Sequence, residues 1–243
     1  MLLRILSVDL AHSSYNKLGV VLLEDSGDGF SVRAITPGDV GLTGEPSAHA
    51  LATNLVAVCR RLSVSILLLD GPQGWKDPDN GLKHSRVCER ELNTPGKTGL
   101  PGNAKPGNYL PFIAFSVSVF DGLVAQGFEL WSGRAAPLLA IESFPWSAWR
   151  QLGIVPLGAK SKARREDLER VVAELQGLFP LRVPDRLSHD QVQALVAALA
   201  GVAVSRGSCA GYVAAGVQPK RLDGSWREGF IINPTREALG SCA

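Results

Sequence analysis

The sequence predicts one α/β domain over residues 1–243, built on a mixed five-stranded sheet with an antiparallel meander first and parallel strands after it, flanked by helices. Three observations lead there. Apolar segments separated by short polar turns open the chain, a nearly unbroken aliphatic run follows at Val64 to Asp70, and helical and strand patterns alternate through the second half.

Leu2 to Leu10 is aliphatic and ends at an Asp, and Leu18 to Glu24 is a second apolar run after the polar turn His12 to Asn16. Phe30 to Thr36 alternates apolar and polar positions after the Gly- and Asp-rich turn Asp25 to Gly29, which completes a three-stranded meander. From Ser47, apolar residues recur at helical spacing and close on the basic pair Arg60 and Arg61, which suits the negative end of a helix dipole. Val64 to Asp70 then reads as a strand covered on both faces, ended by Gly71 and Pro72. A helix over Leu82 to Leu92 would follow. Residues 94–110 form a Gly- and Pro-rich loop insertion carrying Lys97 and Lys105, a segment suited to a lid or a substrate-contacting flap. Phe112 to Gly127 is expected as a helix, Phe128 to Trp131 and Leu138 to Glu142 as strands, and Ser161 to Phe179 as a charged amphipathic helix. The last helix starts at the capping box Ser188 and Gln191 and runs to about Val204, with an edge strand expected at Gly229 to Ile232.

A composition of 45% hydrophobic and 20% charged residues supports a folded core. The net charge of +2 is too small for a whole-molecule field to attract a polyanion. The longest apolar run, Val192 to Val204, is interrupted by Gln193 and falls short of the roughly 20 residues that cross a bilayer, so no membrane partner is expected. Asp9 breaks the apolar start before a signal-peptide core forms, which points to the cytoplasm. Cys59, Cys88, Cys209 and Cys242 form no Cys-x-x-Cys pair, so they read as free thiols rather than a zinc ribbon or redox centre.

Four acids stand where strand and helix ends can converge: Asp9, Asp70, Glu142 and Asp190. Taken singly, each also reads as a turn or strand-end residue. Two ionised carboxylates about 4 Å apart repel by about 4 kcal/mol at an effective dielectric of about 20. A shared proton or a hard divalent cation, Mg²⁺ or Mn²⁺, offsets that repulsion.

The segments Ser7 to Leu10, Leu69 to Gly74, Arg86 to Arg90, Ile141 to Pro145 and His189 to Leu195 occur in an order that resembles an uncharacterised family of bacterial and archaeal predicted nucleases. That family lies within the ribonuclease H-like superfamily, kin to RuvC-type resolvases, and the resemblance spans most of the chain. It implies a ribonuclease H-like fold in which Asp9, Asp70 and Asp190 bind the metal, with Glu142 in a motif of less settled role. It also implies phosphodiester hydrolysis of DNA or RNA, with paired metals positioning a water, polarising the phosphate and stabilising the leaving oxygen. One departure stands out: where resolvase relatives carry a second acid on the late helix, this chain has Gln193. His189, beside Asp190, could assist a water; a structural His is the plainer reading.

Arg86 and Arg90, one turn apart on a helix, would present a fork to phosphate oxygens; pairing with Glu89 and Glu91 is the plainer reading. Lys160, Lys162, Arg164 and Arg165 are the densest basic cluster; with the acids that follow at once, an ordinary charged helix face explains them about as well as a phosphate contact. Gly96-Lys97-Thr98 is no P-loop, because Glu91 stands where the first glycine is required. The functional expectation is therefore a metal-dependent nuclease. The alternatives are a catalytically silent nucleic-acid or partner-binding module, and an actin-like ATP-dependent phosphotransferase, which would need two glycine-rich phosphate loops. Oligomeric state is left open by the sequence.

Overall fold

The computed structural model describes residues 2–239. In chain order its elements are β1 (Arg4–Asp9), β2 (Gly19–Asp25), β3 (Phe30–Ile35), α1 (Ala48–Leu62), β4 (Ile66–Asp70), α2 (Val87–Glu91), β5 (Lys97–Thr98), β6 (Ala104–Lys105), α3 (Leu110–Ala125), β7 (Glu129–Leu130), β8 (Leu139–Ser143), α4 (Pro145–Gln151), α5 (Arg165–Leu178), β9 (Leu181–Arg182), α6 (His189–Ser205), β10 (Tyr212–Leu222) and β11 (Ser225–Pro234). The meander β1-β2-β3 is antiparallel, and β4 and β8 continue the sheet parallel to β1. This is the mixed α/β order, meander first and parallel strands after it, that the sequence predicts.

The sheet is wider than five strands. Among the described residues it has nine, in the order β10-β11-β8-β4-β1-β2-β3-β9, with β7 also pairing β8. Gly229 to Ile232 is not an edge: it belongs to β11, which lies between β8 and the outer strand β10. The long β10–β11 hairpin carries too many Gly and polar residues for period-two alternation to reveal it. The expected helix over 82–92 shrinks to α2, because residues 75–86 are spent in turns that pack on this hairpin.

Two apolar layers enclose the sheet. On one face Ile5, Leu68 and Ile141 pack under α6, α4 and α5; on the other Leu6, Val8, Leu67 and Leu69 pack under α1 and α3. Each fully buried leucine of this kind contributes roughly 1.5–3 kcal/mol. Helix α6 is buried nearly all round, as an apolar helix on a sheet must be. The capping box of Ser188 and Gln191 starts it as expected. The stretch Gly107–Ala125 is long and apolar enough by length and composition to cross a membrane; here its Val119, Phe120 and Leu123 are buried in the α1 layer. Cys59 and Cys88 are buried free thiols and Cys209 is an exposed one, whereas Cys242 lies outside the described residues.

Candidate functional site

Asp9 and Asp70 are the last residues of neighbouring parallel strands and stand side by side in register. β4 is aliphatic up to Asp70, and β1 is broken only by Arg4 at its start and the buried Ser7, so each acid stands at the carboxyl end of the sheet, where open α/β sheets place their ligands. The register also puts Ser143, the end of β8, next to Asp70. Asp9, Asp70 and Ser143 therefore form one row on the face covered by α6.

The third acid arrives from that helix. Asp190 lies in the first turn of α6, and the helix can come close because the residue opposite Asp9 on β2 is Gly19. A Cβ at Gly19 would fall 2.2 Å from the carbonyl carbon and oxygen of Asp190. Only a glycine lets the helix N-terminus rest on the strand at this point.

Crowding sets the electrostatics. Asp9 is held well above the usual carboxyl range, first by burial and then by the charges of Asp70 and Asp190. Burial pushes Asp70 up to about 7, with a contribution from Glu142, although its hydrogen bond with Asp9 works the other way. Such a pair shares a proton, so near neutrality it holds less than two negative charges. Asp190 is different: burial would raise it, but His189 and Lys160 hold it below the ordinary value. Lys160 donates to one oxygen of Asp190, and the His189 Nδ1 lies 3.3 Å from the other. The Nε2 of His189 is 3.0 Å from the carbonyl oxygen of Gly158, which can only accept, so Nε2 carries a proton there. His189 is thus committed to anchoring the Gly158–Lys160 segment over Asp190.

Glu142 does not join the row. It pairs in register with Leu69, one step before Asp70, so its side chain takes the opposite face of the sheet. There it accepts bidentate hydrogen bonds from Arg86 Nη1 and Nη2 (2.7 and 2.5 Å) and one from the Gln73 backbone N–H (2.9 Å). Burial raises its carboxyl, and Arg86 and the Gln73 N–H bring it part of the way back. Arg86 Nε also donates to Glu89 (3.1 Å), which accepts from the Thr98 N–H as well. Arg86 is only 1% exposed. The expected Arg86 and Arg90 fork is therefore absent: Arg86 caps α2 from inside the protein, and Arg90 is on the surface.

Lys97 and Lys105 face each other across the β5–β6 ribbon of the insertion. Lys97 donates to the Glu89 carbonyl oxygen (3.0 Å), and Lys105 Nζ is 2.8 Å from His84 Nε2. Gln193 points away from the carboxylates and accepts from Trp149 Nε1 (2.7 Å), tying α6 to α4. Lys160 and Lys162 precede α5 rather than forming its face, which is how Lys160 reaches Asp190.

Two participants escape sequence reasoning. Ser143 is 2% exposed, and its hydroxyl has no hydrogen-bond partner among the described residues. Its only sequence signal is its place directly after Glu142. Gly19 carries no signal beyond ending a polar turn. Beside the row, a cleft opens from Asp70 and Ser143 toward Tyr109, Phe112 of α3, and Thr94, Pro95, Gly96 and Thr98 of the insertion.

Among the described residues no three His, Cys, Asp or Glu side chains are grouped closely enough to hold a metal ion. The donor set that fits a hard cation is the Asp9 and Asp70 pair, whose crowded oxygens a cation would relieve, with Asp190 already neutralised by Lys160. No family model matches the chain, and no curated protein matches it. Among solved structures it is similar to a Thermus thermophilus RuvC structure, at 13% identity over 85% of this chain and 98% of that one, with a TM-score of 0.40.

Proposed function

We propose that this chain is a metal-dependent nuclease that hydrolyses phosphodiester bonds of DNA or RNA. The observation that carries the reading is the Asp9 and Asp70 pair: two carboxylates in register on adjacent strand ends, both raised first by burial and Asp9 further by the charges of Asp70 and Asp190. Asp9 and Asp70 would hold Mg²⁺ or Mn²⁺, and Asp190 would complete the set once Lys160 gives way. The ion, when bound, supplies the charge that polarises a phosphate and activates a water. The rest falls to the chain. The paired acids orient their oxygens through the sheet register, Glu142 fixes the Gln73 turn behind Asp70, and His189 steadies Asp190. Arg90, Lys97 and Lys105 would meet the nucleic-acid backbone, whereas Arg86 would act through Glu142 as a positioning residue.

The test is cleavage of single-stranded, duplex and branched DNA and RNA with Mg²⁺ or Mn²⁺, comparing the parent chain with Asp9→Asn. Metal-dependent cleavage that falls at least about a hundredfold in the variant is the expected result. Cleavage that survives the substitution, or none with either metal, overturns the reading. One observation favours a second reading, the silent nucleic-acid-binding module: Lys160 already occupies the cationic place at Asp190. Binding without hydrolysis in the same assays would select it.

A further inference from the structure

The carboxylate row repels phosphate, and the chain's net charge of +2 gives little general attraction for a polyanion. A nucleic-acid ligand therefore needs a local cationic surface. The structure gathers one on the flank of the insertion, around a recess lined by Lys83, His84, Gly99, Asn103 and Lys105. Lys105 Nζ lies 2.8 Å from His84 Nε2, so His84 accepts from the ammonium and adds no compensating charge. Lys83 is exposed and makes no ion pair among the described residues. Across the ribbon Lys105 stands in register with Lys97, a like-charge pair that costs stability and whose own hydrogen bonds go to uncharged partners. Of the acids close by in the chain, Asp77 pairs with Lys220, and Asp79 is exposed with its charge felt by the same Lys220. Burial first, and then the charges of Lys105, Lys83 and Lys76, push His84 below its ordinary value.

We infer that Lys83, His84 and Lys105 form a docking surface for the phosphate backbone of a nucleic acid, with the insertion joining it to the carboxylate row. The joining is physical: Thr94 to Thr98 wall the cleft at Asp70, and Gly99 to Lys105 wall the basic recess, so one short ribbon borders both. A strand lying over residues 94–110 meets lysines on one side and carboxylates on the other. The phosphates on the lysines set its position, and the surface carries no base-specific contact. This inference rests on the nucleic-acid reading of the chain but not on catalysis.

The experiment uses the full chain carrying Asp9→Asn, in EDTA, so that binding is read without cleavage. Labelled 20-nucleotide single strands and 20-base-pair duplexes report affinity by anisotropy across a KCl series. Adding Lys83→Ala and Lys105→Ala together is expected to weaken binding at least about tenfold at 0.1 M salt. It also lowers the slope of log K against log salt by about 1.5, since each lost phosphate contact removes roughly 0.7–0.9. Arg186→Ala, an exposed cation elsewhere, should leave both unchanged. The substituted lysine side chains are at the surface and Lys105 faces Lys97, so the melting temperature of the double variant should stay at or above its parent's and a folding defect is separable. Equal affinity and slope in the double variant and its parent overturn the surface, as does a parent chain that binds neither probe. Lysine-dependent binding in a chain that never cleaves would keep the surface and overturn the nuclease reading alone.

Discussion

Two groups of acids sit at the same end of the same sheet and behave in opposite ways. Glu142 and Glu89 are buried, share Arg86, and spend their remaining oxygens on backbone N–H groups of Gln73, Thr98 and Arg86 itself. Asp9 and Asp70 have each other, with the distant charge of Lys160 reaching Asp9 alone and part of their surface open. One register step along β8 separates the two fates, because Glu142 pairs with Leu69 and Ser143 with Asp70. Carboxylates with a cation and satisfied hydrogen bonds are a staple. Those left to repel one another are a site waiting for a counter-charge.

Removing the shared guanidinium gives the largest expected effect. Arg86→Met leaves Glu142 and Glu89 buried without a cation, so urea unfolding should show a loss of about 3–5 kcal/mol. A loss below about 1 kcal/mol would mean that the staple is no staple, and the contrast between the two acid groups would disappear. Next comes the close approach of α6. Gly19→Ala puts a methyl group into the Asp190 backbone and should cost about 1–3 kcal/mol of stability while pushing Asp190 away from Asp9. Mn²⁺ affinity by calorimetry should fall in that variant; unchanged affinity would show that Asp190 is dispensable to the site.

Much of this was legible in the sequence and some of it was not, for definable reasons. The runs Leu2 to Leu10 and Val64 to Asp70 announce strands ending in acids, and the Ser188 and Gln191 box announces the helix that brings Asp190. An all-aliphatic strand hides its register, however, because both faces look alike. Nothing before Glu142 says that it falls in phase with Leu69 rather than Asp70. The partnership of Arg86 with Glu142, 56 positions apart, is equally invisible to local pattern, and a basic residue on a short helix reads as exposed. The hairpin β10–β11 was missed because its Gly residues and strand irregularity break the alternation.

The smallest effect belongs to Ser143. Its hydroxyl is buried without a partner, so Ser143→Ala should change stability by less than about 1 kcal/mol and in the favourable direction. A clear loss on unfolding would reveal a partner for that oxygen and place Ser143 with the staple instead of the row.

The central claim is that Asp9 and Asp70 share a proton until a cation replaces it. A carboxyl carbon-13 NMR titration of the metal-free protein tests it most directly. Folding takes up a proton between the ordinary carboxyl value of 3.8 and about 7, where Asp70 titrates in the folded chain. The stability contributed by this group is therefore complete below 3.8 and fades as the pH rises through about 7. The account predicts an Asp70 step near 7 that moves sharply down when Mn²⁺-matched diamagnetic Mg²⁺ is added. Two independent steps near 4, indifferent to the metal, would contradict it.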